Sequence, residues 1–381
     1  MRIAVFTDTY LPTVDGVVNA IRNTKLALEK RGHRVLIVAP GGRGGKGPQA
    51  PDTIYSRSRE LRRYPGYRVS LLPTKRELDI LEEYDPDLVH AHGFAFMGLK
   101  GMWASRELFR PMILTFHTMI IDAIPYYTPF TRRSRLLTGL ISRYLRGFLH
   151  RCGAVVTPTH TILDELRTLA PRMRRTAVIP NGVDLERFRP GLDGRAVRER
   201  HGLGDEDLLL HVGRMAPEKD LTFLLHAFPG LQRRRPGCKL LFVGTGPELD
   251  RCRWFVERHD LAEDILFAGF VPDQELPSYY AAADVLTIAS QFETQGMVAL
   301  EAMACGKPVV AVDYRAFPEY IADGRNGFLF PPGDASGFCL SVLAALECGE
   351  EVEELARETA EGFSWEDTTE KLVALYEDMA A

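Results

Sequence analysis

The chain has 381 residues, enough for two domains, and its 45% hydrophobic and 26% charged content is that of an ordinary soluble globular protein. No apolar run reaches the 18 residues of a membrane-crossing helix, and no short-period repeat or low-complexity tract argues for a solenoid or a disordered chain. The net charge of −4 hides a split: residues 1–180 hold 28 of the 47 Lys and Arg but 15 of the 51 Asp and Glu, so this half carries +13 and the rest −17.

Met1-Arg2-Ile3-Ala4-Val5-Phe6 runs straight into acidic Asp8, so Arg2–Thr7 reads as a first buried strand rather than a leader. A turn rich in Pro, Thr and Asp follows. A helix over Gly16–Lys30 then stops at Arg31-Gly32-His33, and Arg34–Ala39 is a second strand. Strand, helix and strand in this order open a parallel sheet, because parallel neighbours need a crossover. Gly41–Ala50 reads as a Gly-rich mobile loop. Leu88–Ala91, Met112–Phe116, Ala154–Thr157 and Ala177–Ile179 are further strands, with helices between them. After Asn181-Gly182-Val183-Asp184 comes a polar stretch with Pro190, Gly191 and Gly194, the best candidate for a linker.

A second alternating set begins there. Its strands are Leu208–Val212, Leu240–Val243, Ile265–Phe267, Val285–Ala289 and Val309–Val312. Helices fall near Leu221–Arg233, Pro247–His259, Ser278–Ala283 and Val298–Cys305. Two successive doubly wound halves predict an α/β protein of two Rossmann-like domains facing each other across a cleft. Phe363–Met379 contains a closing amphipathic helix with its acids, Glu366 and Asp367, in the first turn. The six cysteines show no metal-type spacing and read as buried free thiols.

The residues with chemistry to offer follow strands of the second half. Ser290–Gly296 is a turn, and Met297, Leu300, Glu301 and Ala304 recur at helical spacing until Gly306 and Pro308 stop the helix. Glu293 precedes the helix start, and Glu301 lies roughly 12 Å further along at 1.5 Å per residue. The amides of Gly296, Met297 and Val298 point out of that helix end, where partial positive charge favours an anion. A blander reading has Glu293 complementing the helix dipole and Glu301 as a half-buried helix acid. Gly213-Arg214-Met215-Ala216-Pro217-Glu218-Lys219-Asp220 is another strand-to-helix turn. There Arg214 could grip a phosphate bidentately while Lys219 adds a point charge. Alone, either would be read as a surface cation. Val243-Gly244-Thr245-Gly246-Pro247 lacks the third glycine of a dinucleotide fingerprint, Leu249 standing in its place, which argues against such a cofactor.

Together these residues resemble the family-4 retaining glycosyltransferases of the GT-B fold. The matching motifs, in order along nearly the whole chain, are Pro12-Thr13-Val14-Asp15-Gly16-Val17, Thr115-Phe116-His117 and Ile179-Pro180-Asn181-Gly182-Val183-Asp184. Gly213-Arg214 with Lys219 follows, then Glu293 and Glu301 with Cys305-Gly306-Lys307-Pro308-Val309. The resemblance implies an N-terminal acceptor-binding domain over 1–184 and a C-terminal nucleotide-sugar domain over 185–362. A helix in 363–381 would pack back on the first. It further implies that Arg214 and Lys219 hold the donor diphosphate and that Glu301 takes the ribose hydroxyls. Glu293 with the amides of Gly296, Met297 and Val298 would take the sugar, and Val271 would line the donor site. His117 would sit over the reacting centre, and Gly16 would let the first helix start approach donor and acceptor. No cofactor or metal is implied, and no DxD-type motif occupies a suitable turn. His90, His92 and His160 read as structural.

The acceptor is less determined. From Asp122 to Asp164 no acidic residue intervenes, while Arg132, Arg133, Arg135, Arg143, Arg146 and Arg151 do. Leu137, Leu140, Ile141, Tyr144, Leu145 and Phe148 recur at helical spacing after the aromatic stretch with Tyr126 and Tyr127. Such a helix can lie in an anionic membrane interface, or its stripe can pack on the sheet while the arginines face water. Thr115-Phe116-His117-Thr118-Met119 and Gln295 look most like members that glucosylate diacylglycerol. The expected enzyme therefore moves a hexose from a nucleotide-sugar such as UDP-glucose to a lipid, as a peripheral protein at the cytoplasmic face of the cell membrane. A soluble transferase using a small sugar or sugar phosphate is the alternative. A nucleotide-sugar-binding protein or epimerase is the alternative of another class, and no nucleic-acid motif is present.

Overall fold

The computed structural model describes residues 1–11, 16–42, 47, 52–60, 68–70, 73–117 and 135–381, with 135–137 by backbone alone. Pro12 to Asp15, most of the Gly41–Ala50 loop, and the segment carrying Thr118, Met119, Tyr126, Tyr127, Arg132 and Arg133 lie outside the described residues, as does the Arg135 side chain.

The chain forms two compact units. One comprises the described residues of 1–182 with Trp365–Ala381, the other Val183–Ser364. In the first, the strands are β1 (Arg2–Thr7), β2 (Arg34–Pro40), β3 (Thr53–Ser56), β4 (Ser58–Glu60), β5 (Arg68–Ser70), β6 (Leu88–His92), β7 (Met112–Thr115), β8 (Ala154–Thr157) and β9 (Thr176–Val178). Seven make one parallel sheet in the order β3-β2-β1-β6-β7-β8-β9, while β4 and β5 pair antiparallel apart from it. Successive side chains on β1 alternate faces: Ala4 and Phe6 enter one core cluster, Ile3 and Val5 the other. The second cluster takes in Leu372, Leu375 and Tyr376 of the helix Trp365–Ala380, which is part of this first unit.

The second unit has a six-stranded parallel sheet. Its members are β10 (Leu208–Val212), β11 (Lys239–Val243), β12 (Ile265–Gly269), β13 (Val285–Ile288), β14 (Val309–Val312) and β15 (Phe328–Phe330), in the order β12-β11-β10-β13-β14-β15. Its central strands are apolar along almost their whole length because helices cover both faces. Strand order reverses between β1 and β6 in one sheet and between β10 and β13 in the other. At such switch points the loops leaving the carboxyl ends diverge and open a crevice.

The stretch read as a linker belongs to the second unit instead. Phe188 is buried in its core, and a Cβ on Gly194 would come within 2.3 Å of the Ala282 backbone nitrogen. Gly194 thus serves close packing there, not a free tether.

Candidate active site

β10 and β11 stay joined past their ends. The Gly213 amide donates to the Val243 carbonyl at 3.0 Å and the Met215 amide to the Thr245 carbonyl at 2.9 Å. Gly244 has φ +133°, and a Cβ there would lie 1.9 Å from the Gly213 carbonyl oxygen. The paired glycines of this turn are thus explained by one backbone crossing another, with no dinucleotide required.

The second turn carries the cations. Arg214 donates to Glu218 Oε1 at 2.7 Å, and Ser290 Oγ donates to the Glu218 carbonyl at 3.0 Å, tying the turn after β10 to the end of β13. Lys219 Nζ donates to Glu293 Oε1 at 2.5 Å. This ion pair spans the sheet's switch point. With Lys219 23% and Glu293 15% exposed, it is better shielded than a solvated surface bridge.

Four residues beyond Glu293 the helix Met297–Ala304 begins. Gly296, at φ +76°, starts it without a capping side chain, and a Cβ there would lie 2.5 Å from Phe317 Cε1. The helix start therefore offers backbone amides and partial positive charge beside Glu293. One turn on, Tyr280 Oη donates to Glu301 Oε2 at 2.6 Å. Burial pushes the Glu301 carboxyl up to about 7, against the opposing pull of the Tyr280 hydroxyl and the Arg187 cation. Arg187 in turn bonds Asp273 Oδ2 at 2.8 Å and lies over the Phe188 ring. Val271, half-buried, packs on the same core beyond β12.

In the first unit, the carboxyl ends of β6 and β7 bring histidines together. His92 Nδ1 and His117 Nε2 are 2.8 Å apart. Burial holds His117 down to about 4, and burial with the neighbouring His90 and His117 holds His92 well below the usual histidine range. Both are neutral at pH 7, so one proton between them makes the bond. His90 is satisfied on both nitrogens, by Tyr376 Oη at 2.6 Å and Thr115 Oγ1 at 2.7 Å, and is a structural residue. Gly16 is the first residue of the helix Gly16–Lys30, and a Cβ there would meet no described atom within 4 Å.

Against known proteins, the model described as Glycosyltransferase Family 4 matches residues 14–187, and that described as Glycosyl transferases group 1 matches 194–362. An alpha-monoglucosyldiacylglycerol synthase of Streptococcus pneumoniae is 32% identical over 352 residues, covering 91% of this chain and 79% of the relative. The chain belongs to the family-4 glycosyltransferases. A GDP-mannose-dependent alpha-mannosyltransferase of Mycobacterium tuberculosis is 30% identical, covering 99% of this chain and 96% of that protein. The structure of sucrose-phosphate synthase from Thermosynechococcus elongatus superposes with a TM-score of 0.79 at 21% identity, over 99% of this chain and 98% of that one. This glycosyltransferase thus has the GT-B fold and is a hexosyltransferase.

Within the glycosyltransferase, Arg214, Lys219, Glu293 and the helix start at Gly296 gather at one end of the second unit's sheet. Glu301 stands on the same helix, and Val271 follows the edge strand. The first unit holds His117 just past β7 and Gly16 at the start of the helix Gly16–Lys30. His92 was read as structural, yet it bonds His117 directly. The signal available was its place: like His117, it closes a strand at the carboxyl end. In the helix Arg135–Leu149, Leu145, Phe148 and Leu149 are buried in the core while Leu140 and Tyr144 are exposed. Part of the stripe thus packs in the core, and Leu140 and Tyr144 face outward.

Proposed function

We propose that the enzyme moves a hexose from a nucleotide-sugar, UDP-glucose or a close analogue, to a membrane lipid such as diacylglycerol, with retention and without a metal. The observation that carries this reading is the Lys219–Glu293 pair beside the start of the helix Met297–Ala304. It sets a cation for the diphosphate, a carboxylate for sugar hydroxyls and a positive helix end side by side. Arg214 and Lys219 stabilise the charge of the leaving diphosphate. Glu293 and the amides of Gly296, Met297 and Val298 hold the sugar, Glu301 accepts from the ribose, and Val271 backs the base. His117 and Gly16 serve the reaction from the N-terminal unit. The acceptor hydroxyl attacks the anomeric carbon on the face the diphosphate leaves, and a phosphate oxygen takes the proton.

On this reading residues 1–184 take the acceptor and 185–362 the donor. Tyr126, Tyr127, Arg132, Arg133 and Arg135 meet an anionic surface at the cytoplasmic face of the cell membrane. Support comes from the pneumococcal relative, an alpha-monoglucosyldiacylglycerol synthase, and from exposed Leu140 and Tyr144. A small soluble sugar or sugar-phosphate acceptor is the second reading, favoured by the burial of Leu145, Phe148 and Leu149.

Radiolabelled UDP-glucose, UDP-galactose and GDP-mannose, each incubated with a lipid extract and with a panel of sugars and sugar phosphates, test this directly. Label in the organic phase, undiminished by excess EDTA, is expected. Label in water-soluble product alone favours the second reading. No transfer from any donor leaves a binding protein or epimerase.

A further inference from the structure

One buried titratable group beside the donor residues has no part in that reading. His211, on β10, is 2% exposed and packs its ring against Phe242, with centroids 5.5 Å apart. Its Nδ1 lies 3.1 Å from the carbonyl oxygen of Thr287 on β13. A carbonyl only accepts, so Nδ1 carries the proton and Nε2 keeps a lone pair. Burial holds this imidazole down to about 4, so it is neutral at physiological pH. Nε2 itself is buried and has no hydrogen-bond partner among the described residues. A native structure rarely leaves such an acceptor unmatched without a use for it.

Its surroundings suggest the use. A methyl group built on Gly213 would lie 3.7 Å from His211 Nε2 and 3.9 Å from Lys219 Cε. Both atoms border one methyl-sized gap that Gly213, lacking a side chain, leaves open. Lys219 meanwhile gives its ammonium to Glu293. We propose that His211 is a positioning residue for Lys219: when a donor diphosphate arrives, the ammonium turns to share its protons between the diphosphate and His211 Nε2, leaving Glu293 to the sugar hydroxyls. The proposal rests on the donor-site reading above. An ammonium has three donors to satisfy. A second carboxylate would satisfy one but cancel the charge that the leaving diphosphate needs. A neutral imidazole orients the cation and leaves its charge intact.

A double-mutant cycle, read by calorimetric binding of UDP and of GDP, tests the coupling. His211→Asn keeps a donor near the Nδ1 position and loses the Nε2 acceptor, whereas His211→Gln sets an amide oxygen near the Nε2 position. His211→Asn is expected to weaken the better-bound nucleotide by roughly 5- to 10-fold, and His211→Gln by no more than about twofold. In a Lys219→Ala background, His211→Asn should change affinity by less than about twofold. An undiminished loss without Lys219, or no loss with it, overturns the proposal, because a packing role would act in both backgrounds. Should thermal melting show His211→Asn unfolded, His211→Phe, which fills the space beside Phe242, takes its place in the cycle. Failure of both to fold makes His211 a packing residue and equally overturns the proposal. If the wild-type enzyme binds neither UDP nor GDP, the donor-site reading falls first and this inference with it.

Discussion

Lys219 and Glu293 hold each other in place across a switch point, so neither side chain must be ordered from scratch when a ligand arrives. Preorganised charge is what stabilises a developing diphosphate, and removing one such group costs about 10²-fold or more in turnover. Lys219→Ala is therefore expected to lower kcat by roughly 10²-fold with a correct donor. Unchanged turnover in a radiolabel assay would remove the assignment. Glu301 makes a different prediction, through pH. Its carboxyl rises from 4.5 to about 7 on folding, chiefly by burial. Between those values the folded chain holds a proton that the unfolded chain has released, so stability falls as pH rises through that window. Glu301→Gln abolishes this loss. Its Tm should exceed wild type by about 2–4 °C at pH 8 and converge with it near pH 4.5, while UDP binding weakens. A variant that melts below wild type at pH 8 would mean that Glu301 is held for packing rather than for a ligand.

At the scale of elements, the two turns after β10 and β11 work as one piece. Their backbones cross so closely that Gly244→Ala would force its Cβ onto the Gly213 carbonyl, whereas a Cβ on Gly213 meets only ordinary contacts. Gly244→Ala should therefore destabilise the enzyme more than Gly213→Ala, by about 1–3 kcal/mol, with scanning calorimetry as the measure. The reverse order would dismiss the crossing as the reason for these glycines. The longer apolar strands Arg2–Thr7 and Leu208–Val212 were legible because parallel strands covered on both faces read as mainly apolar runs. Thr53–Ser56, Ser58–Glu60 and Phe328–Phe330 were not, being three or four residues long and at sheet edges or apart from the main sheets. The turns bearing Arg214, Lys219 and Glu293 stood out as polar breaks between such runs. The Lys219–Glu293 bond could not, since 74 residues separate its partners. The His92–His117 bond was hidden likewise, with 25 residues between them. His211 gave no signal at all inside an apolar strand.

For the whole molecule, the question is how an enzyme with no membrane-crossing helix among its described residues could meet a lipid. Its charge offers an answer. The half with +13 contains the acid-free stretch between Asp122 and Asp164, and the helix Arg135–Leu149 inside it is anchored by Leu145, Phe148 and Leu149. Leu140 and Tyr144, one turn apart, stay exposed with Arg143 beside them. Phe96 and Leu99 are exposed on the helix Phe96–Glu107, which packs against the first through Gly98 and Phe148. Apolar side chains among arginines suit the headgroup boundary. Each Lys or Arg near an anionic leaflet contributes about 1 kcal/mol, screened over about 8 Å at physiological salt. Several such contacts hold a protein reversibly and no more. Binding to vesicles should accordingly require anionic lipid and weaken as salt rises. It should fall at least tenfold when Arg132, Arg133 and Arg135 become Glu, since three lost contacts and three repulsive ones exceed 1.4 kcal/mol. Calorimetric UDP binding, proposed for the other unit, should survive the triple change. Co-sedimentation of the triple variant at the wild-type level would end the electrostatic account. A wild-type enzyme that ignores anionic vesicles altogether would turn the choice to the soluble acceptor.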